Sequence, residues 1–167
     1  FNPFLSHSII TSRILTFLEK SIKMEIVEIK EMSQAVLDAF TVLVPQLSSS
    51  AKIPTWEELE DLIQSRASIL LAAVDPDQNN KIVGSLTLAV FRLPTGVRSW
   101  IEDVVVDEQM RGRGVGEMLV RAAVDRARAE GAKTVDLTSR PSREAANRLY
   151  RRCGFEPRET NIYRFTI

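Results

Sequence analysis

Apolar and polar residues change rhythm several times along this chain, and each change marks an element. From Met24 the pattern alternates, and Ile26, Val27 and Ile29 predict a first strand. Ser33 caps a helix over residues 34–44, with Ala35, Val36, Ala39, Phe40 and Leu43 as its apolar face. Past the serine run at 48–50, Thr55 starts a second helix reaching about Arg66, with Glu58 at the capping-box position. Residues 69–74 form a short apolar strand, and the turn at 75–80 joins it to residues 82–93 as a hairpin. Pro94-Thr95-Gly96 turns the chain again into a third strand over 99–106. A helix over 116–130 ends at Gly131, a strand covers 134–138, and a last helix over 142–153 stops at Gly154. Residues 161–167 predict a final strand, with 155–158 a short one before it.

The order is therefore β-α-α-β-β-β-α-β-α-β, with one optional extra strand near the end. A run of hairpin strands comes before any crossover. That places the chain in the α+β (mixed α/β) class rather than among doubly wound sheets. The alternating core begins at Met24, so the domain is taken as 24–167. Residues 1–23 carry Ile10, Ile14, Leu15, Phe17, Leu18 and Ile22 near helical spacing and predict a helical extension, lying on the domain or on a partner chain.

Bulk numbers narrow the function. The 167 residues suit one domain, and 44% apolar with 26% charged residues suits a soluble fold. The formal net charge is zero, which predicts no bulk binding to nucleic acid or an anionic membrane. No run reaches the roughly 18 apolar residues that span a bilayer, and the apolar stretch at 9–18 is broken by Arg13 without a cleavage site, so the expected location is the cytoplasm. Cys153 is the single cysteine and His7 the single histidine. A disulfide within the chain is excluded, no metal is expected, and a histidine-based nucleophilic triad would have to reach into the N-terminal extension.

The strongest motif is Asp103-Val104-Val105-Val106 followed by Arg111-Gly112-Arg113-Gly114-Val115-Gly116 and an apolar helix. A strand ends, a glycine-rich turn follows, and a helix begins. The helix N-terminus offers free N–H groups and the positive end of its dipole, the glycines let phosphate oxygens approach the backbone, and two arginines add charge. This is a pyrophosphate cradle. A P-loop would need Gly-Lys-Ser/Thr at its end, and a dinucleotide fingerprint would place the third glycine one residue later.

In this setting Arg111-x-x-Gly114-x-Gly116 resembles the acyl-CoA motif of the GNAT N-acetyltransferase superfamily, and the element order over 24–167 resembles it too. The resemblance implies a mostly antiparallel sheet of about six to seven strands flanked by about four helices, with acetyl-CoA as cosubstrate. It implies that the amides of residues 111–116 hold the CoA pyrophosphate and that the main chain of Val104 and Val106 pairs with the pantetheine arm. Asn147 and Tyr150, three apart, share a helix face. Within 147–155 they resemble the family's late helix, whose asparagine touches pantetheine and whose tyrosine sits by the CoA sulfur.

Transfer from a thioester needs a neutral amine. A lysine-like amine has a pKa near 10.4, so deprotonating it at pH 7 costs about 4–5 kcal/mol, and a carboxylate can assist. Glu102 and Asp103 precede the cofactor strand, and regular strand alternation lets at most one face the acceptor. The Ile101-Glu102-Asp103 run resembles that of spermidine/spermine-type acetyltransferases, which favours Glu102 as base over Asp103. The backbone N–H of Val104 is the candidate oxyanion donor and the Tyr150 phenol the candidate acid. Cys153 as an acylated nucleophile is the rival mechanism. The acidic run Glu57, Glu58, Glu60 and Asp61 would either draw a cationic amine or form a solvated face. The acceptor, small molecule or peptide, stays open among polyamine, peptide N-terminus, protein lysine and aminoglycoside, as does a homodimer. A non-catalytic acyl-CoA-binding module is the competing reading.

Overall fold

The computed structural model describes residues 24–167; the helical extension expected over 1–23 lies outside the described residues. Five strands form one sheet in the order β1-β2-β3-β4-β5. They are β1 (Glu25–Glu28), β2 (Ser68–Asp75), β3 (Lys81–Leu93), β4 (Gly96–Val106) and β5 (Val135–Leu137). The first four pair antiparallel, and β5 joins β4 in parallel. Helices α1 (Gln34–Leu47) and α2 (Trp56–Gln64) connect β1 to β2, α3 (Val115–Ala129) is the crossover from β4 to β5, and α4 (Glu144–Arg152) follows β5. A parallel neighbour requires such a crossover, because a tight turn can only reverse the chain.

The period-two rhythm of β2 explains why both sheet faces are covered. Leu71 and Ala73 enter the core beneath α3, whereas Ala72 and Val74 enter the core beneath α1. Helix α3 supplies Val115, Leu119, Val120, Ala123 and Ala127 from one face, and α1 supplies Val36, Ala39 and Leu43. Arg126 on α3 also bonds Glu28 on β1 at 3.0 Å, tying that helix to the far edge of the sheet. Leu119 is fully buried, so Leu119→Ala is expected to remove about 2–5 kcal/mol of stability, read as a lower denaturant midpoint at unchanged slope.

The mixed, mostly antiparallel architecture with four flanking helices matches the expected class. Both predicted caps are present: Ser33 caps α1, and Thr55 with Glu58 forms a complete capping box on α2. Among the described residues the strand count is five, rather than the six to seven expected. Residues 155–158 and 161–167 join no ladder. Alternation proposes a strand, but a neighbour must take its hydrogen bonds. Here Ile162, Tyr163 and Phe165 are all well exposed, so no sheet face claims one parity over the other. Among the described residues, no helix is long and apolar enough to cross a membrane.

Candidate active site

The site begins with a defect in β4. Opposite β3, Ser85 pairs with Val105 and Thr87 with Glu102, so three steps on β4 match two on β3. The extra residue is a β-bulge, and Asp103 sits in it at φ 53°. Left-handed backbone is unusual for a side chain larger than glycine, though aspartate tolerates it better than most. The bulge breaks the alternation that would send Glu102 and Asp103 to opposite faces. Glu102 and Asp103 are both among the residues that line one cleft.

The second consequence is an opening. β5 pairs with β4 only at Ser99, Trp100 and Ile101. Beyond Ile101 the two strands part, and among the described residues no strand pairs with β4 from Glu102 to Val106 on its β5 side. Val104 lies half-buried in this gap, Val105 turns its side chain into the α1 core, and Val106 packs toward α3. The cleft that opens here has a volume of about 710 Å³. Its walls come from α1 and α2, the bulged part of β4, the end of β5 and α4, and they bring Glu102, Asp103, Val104 and Tyr150 together.

After β4 the chain is pinned before it reaches the glycines. Asp107 is buried and accepts from the Gln109 N–H at 3.0 Å, Met110 is buried, and the Glu108 N–H donates to Gln46 on α1 at 2.8 Å. Gly112 and Gly114 then adopt φ 75° and 79°, and a Cβ at either would meet nothing within 4 Å. Both therefore face open space in a conformation that favours glycine. Gly114 is the N-cap of α3 and supplies no side-chain bond; the first helical bond is Met118 N–H to the Gly114 carbonyl at 3.0 Å. The amides of Val115, Gly116 and Glu117 precede that bond and point out of the helix end. Arg111 and Arg113 are exposed beside them, with the Arg111 Nε donating to the Val106 carbonyl at 3.4 Å. Gly116 differs from these two glycines, because a Cβ there would lie 2.9 Å from Leu149 Cδ1; it allows α3 and α4 to approach closely.

That approach sets Tyr150 against the cleft. Its ring meets Phe155 edge-on at a centroid distance of 6.1 Å. Burial pushes the phenol above its ordinary range, Arg143 pulls it back, and Cys153 and then Glu102 push it up. The phenol is thus protonated throughout neutral pH. Glu102 is itself steadied by the Trp100 indole N–H, which donates to its Oε1 at 2.8 Å. Asn147 lies on the same helix, but its amide nitrogen donates to the carbonyls of Arg140 at 3.0 Å and Pro141 at 3.4 Å. It clamps the turn entering α4.

Cys153 sits partly buried, and burial pushes its thiol pKa up, away from what a nucleophile needs. It does not line the cleft. Of the acidic run on α2 only Glu58 does; it serves the capping box and pairs with Lys52 at 3.8 Å. Glu57, Glu60 and Asp61 are exposed. Thr138, Ser139, Arg140 and Arg143 stand outside every sequence motif, yet they line the cleft just after β5. Their signal is positional: ligands of sheets with parallel pairs gather beyond the carboxyl ends of the strands.

The model of the acetyltransferase (GNAT) family matches residues 30–155. Glucosamine 6-phosphate N-acetyltransferase 1 of Oryza sativa subsp. japonica is 31% identical over 132 residues, covering 77% of this chain and 77% of that relative. Among solved structures, an aminoglycoside acetyltransferase from an uncultured soil metagenomic sample superposes with a TM-score of 0.73 at 21% identity, over 86% of this chain and 97% of that one. Glucosamine-6-phosphate N-acetyltransferase from Arabidopsis thaliana gives a TM-score of 0.70 at 21% identity, over 85% and 97%. At such identities the two structures speak to the fold alone.

Proposed function

The chain belongs to the acetyltransferase (GNAT) family, and from that membership we propose that it moves the acetyl group of acetyl-CoA onto a primary amine by direct attack. The observation that carries this reading is the parting of β4 from β5 beside a glycine-armed helix end, with Tyr150 and Glu102 on the walls of the same opening.

The residues fit acetyl-CoA in three places. The free amides of Val115, Gly116 and Glu117, with Gly112 and Gly114 leaving room and Arg111 and Arg113 adding charge, would hold the pyrophosphate. The edge of β4 at Val104 and Val106, which no strand covers, would bond the pantetheine amides as another strand would, with the Arg111 side chain giving up the Val106 carbonyl. The thioester would then lie in the gap, within reach of the Val104 N–H as its oxyanion donor. Asn147 acts by holding the turn at 140–141 against this arm.

The chemistry follows. Glu102, directly or through a water, takes a proton from the incoming ammonium. The amine nitrogen then forms a bond to the carbonyl carbon, and the carbonyl oxygen gains charge facing the Val104 N–H. As the carbon–sulfur bond breaks, the Tyr150 phenol gives its proton to the departing thiolate, and the acetylated nitrogen gives up its surplus proton, through water, to restore the phenol and leave a neutral amide. Glu102 has precedence over Asp103 because the Trp100 indole fixes its carboxylate, whereas Asp103 makes the bulge.

Glu102→Gln is therefore expected to lower kcat/KM for the amine by about 10²–10⁴-fold near pH 7, the range for one acid–base group. The deficit should shrink as pH climbs toward the amine pKa, where the acceptor loses its proton unaided. A pH–rate profile of mutant against wild type reads this; a deficit constant from pH 7 to 10 assigns Glu102 another role.

A further inference from the structure

Given acetyl transfer to an amine in this cleft, we propose that the acceptor also carries an anionic group, a carboxylate or a phosphate, bound by Arg140 and Arg143 on the wall facing Glu102 and Asp103.

The charges lining the cleft are sorted by wall. Lys52 and Glu58 pair with each other at 3.8 Å near the cleft's exposed rim. What remains is Glu102 and Asp103 on β4, and Arg140, Arg143 and Arg164 across the opening. Arg121, Arg126, Arg128, Arg148, Arg152 and Arg158 all have carboxylate partners within salt-bridge distance. Among the described residues the three arginines of the cleft, Arg140, Arg143 and Arg164, have none, as is true of several other exposed arginines, and Arg140 and Arg143 differ in standing together on one turn. Their roots are nonetheless held in place. The Arg143 N–H donates to the Arg140 carbonyl at 3.0 Å, and the Asn147 amide closes on that same carbonyl at 3.0 Å. Two guanidinium groups on a fixed turn are suited to a planar or tetrahedral oxyanion, which they can grip with paired N–H donors. Ser139 sits on the same wall, and its buried hydroxyl has no hydrogen-bond partner.

These arginines are separate from the cradle that would hold the CoA phosphates, since none of residues 111–116 lines this cleft. They are close to the reaction, because the charge of Arg143 is felt at the Tyr150 phenol, where it opposes burial. An acceptor with both charges would set its ammonium toward Glu102 and its anion toward Arg143. That orients the nitrogen for attack before any chemistry. A second ammonium in the place of that anion would face Arg140 and Arg143 and be disfavoured there.

The test uses the full chain with saturating acetyl-CoA and two matched pairs of acceptors, 2-aminoethyl phosphate against ethanolamine and glycine against glycinamide. Thiol release is expected to give kcat/KM about 10–100-fold higher for the better anionic member over its neutral partner, the size of a charge-assisted hydrogen bond. Arg143→Gln and Arg140→Gln should each raise the KM of the anionic acceptor and bring that ratio toward one, while Arg143→Lys restores part of it. Equal rates within both pairs in wild type overturn the proposal. So does Arg143→Gln raising the KM of acetyl-CoA instead, which assigns the arginine to the cosubstrate. Calorimetry on the CoA-saturated protein separates the two levels. If no amine is turned over yet 2-aminoethyl phosphate and not ethanolamine binds, and Arg143→Gln abolishes that binding, the anion site stands and the acetyl-transfer reading fails. If neither anionic probe binds or reacts, the anion site itself falls.

Discussion

Gly114→Asp is expected to reduce CoA affinity from the micromolar range by about a thousandfold or more, beyond detection by calorimetry. The position is the N-cap of α3, at φ 79°, with nothing within 4 Å of where a Cβ would stand. Left-handed backbone costs a side-chain-bearing residue about 1–2 kcal/mol, so the variant is strained but sterically free and should remain folded. The damage comes from charge. A carboxylate about 4 Å from a phosphate oxygen, at an effective dielectric constant near 20, repels it by about 4 kcal/mol, which corresponds to about three powers of ten in binding. Gly114→Ala carries the same strain without the charge and should lose much less affinity. Wild-type CoA affinity in Gly114→Asp would show that the glycine turn is not the phosphate cradle.

Tyr150→Phe should lower kcat by about 10²–10⁴-fold and leave CoA affinity nearly unchanged. The ring keeps its edge-on contact with Phe155, and only the phenol proton is lost. That proton matters as the thiolate departs, so kcat and kcat/KM should fall together. High pH should not rescue this variant as it rescues Glu102→Gln, because the deficit lies with the leaving group. In the wild type, burial holds the phenol above its ordinary range, so ionisation of Tyr150 should not cause a loss of activity below about pH 10. If Tyr150→Phe turns over at the wild-type rate with chemistry rate-limiting, Tyr150 is a packing residue.

The sheet and helices were legible because their signals are local. Caps such as Ser33 and Thr55, breaks such as Gly131, and the alternation in β2 and β3 act within a few residues. The glycine loop was legible for the same reason, since Gly112 and Gly114 stand where the backbone turns left-handed. The bulge at Asp103 was not, because nothing in Ile101-Glu102-Asp103 announces that β3 will pair with β4 one residue out of step. The wall made by Arg140 and Arg143 was hidden too: it depends on how far β5 runs beside β4 before they part, a long-range property. The 161–167 segment shows the converse, a strand pattern with no neighbour to complete it. Gly116 carried the motif's spacing yet meets Leu149, so one glycine of the motif serves helix packing.

On the proposed function, a primary amine attacks acetyl-CoA in the gap between β4 and β5. The most direct test is continuous measurement of free thiol from acetyl-CoA and the purified chain, with and without primary amines of differing charge. The expected result is amine-dependent thiol release, equal in amount to the N-acetylated product and strongly reduced in Tyr150→Phe. A chain that binds acetyl-CoA yet releases thiol no faster with any amine than without one would contradict the claim, and would mark a domain that holds the cosubstrate without turning it over.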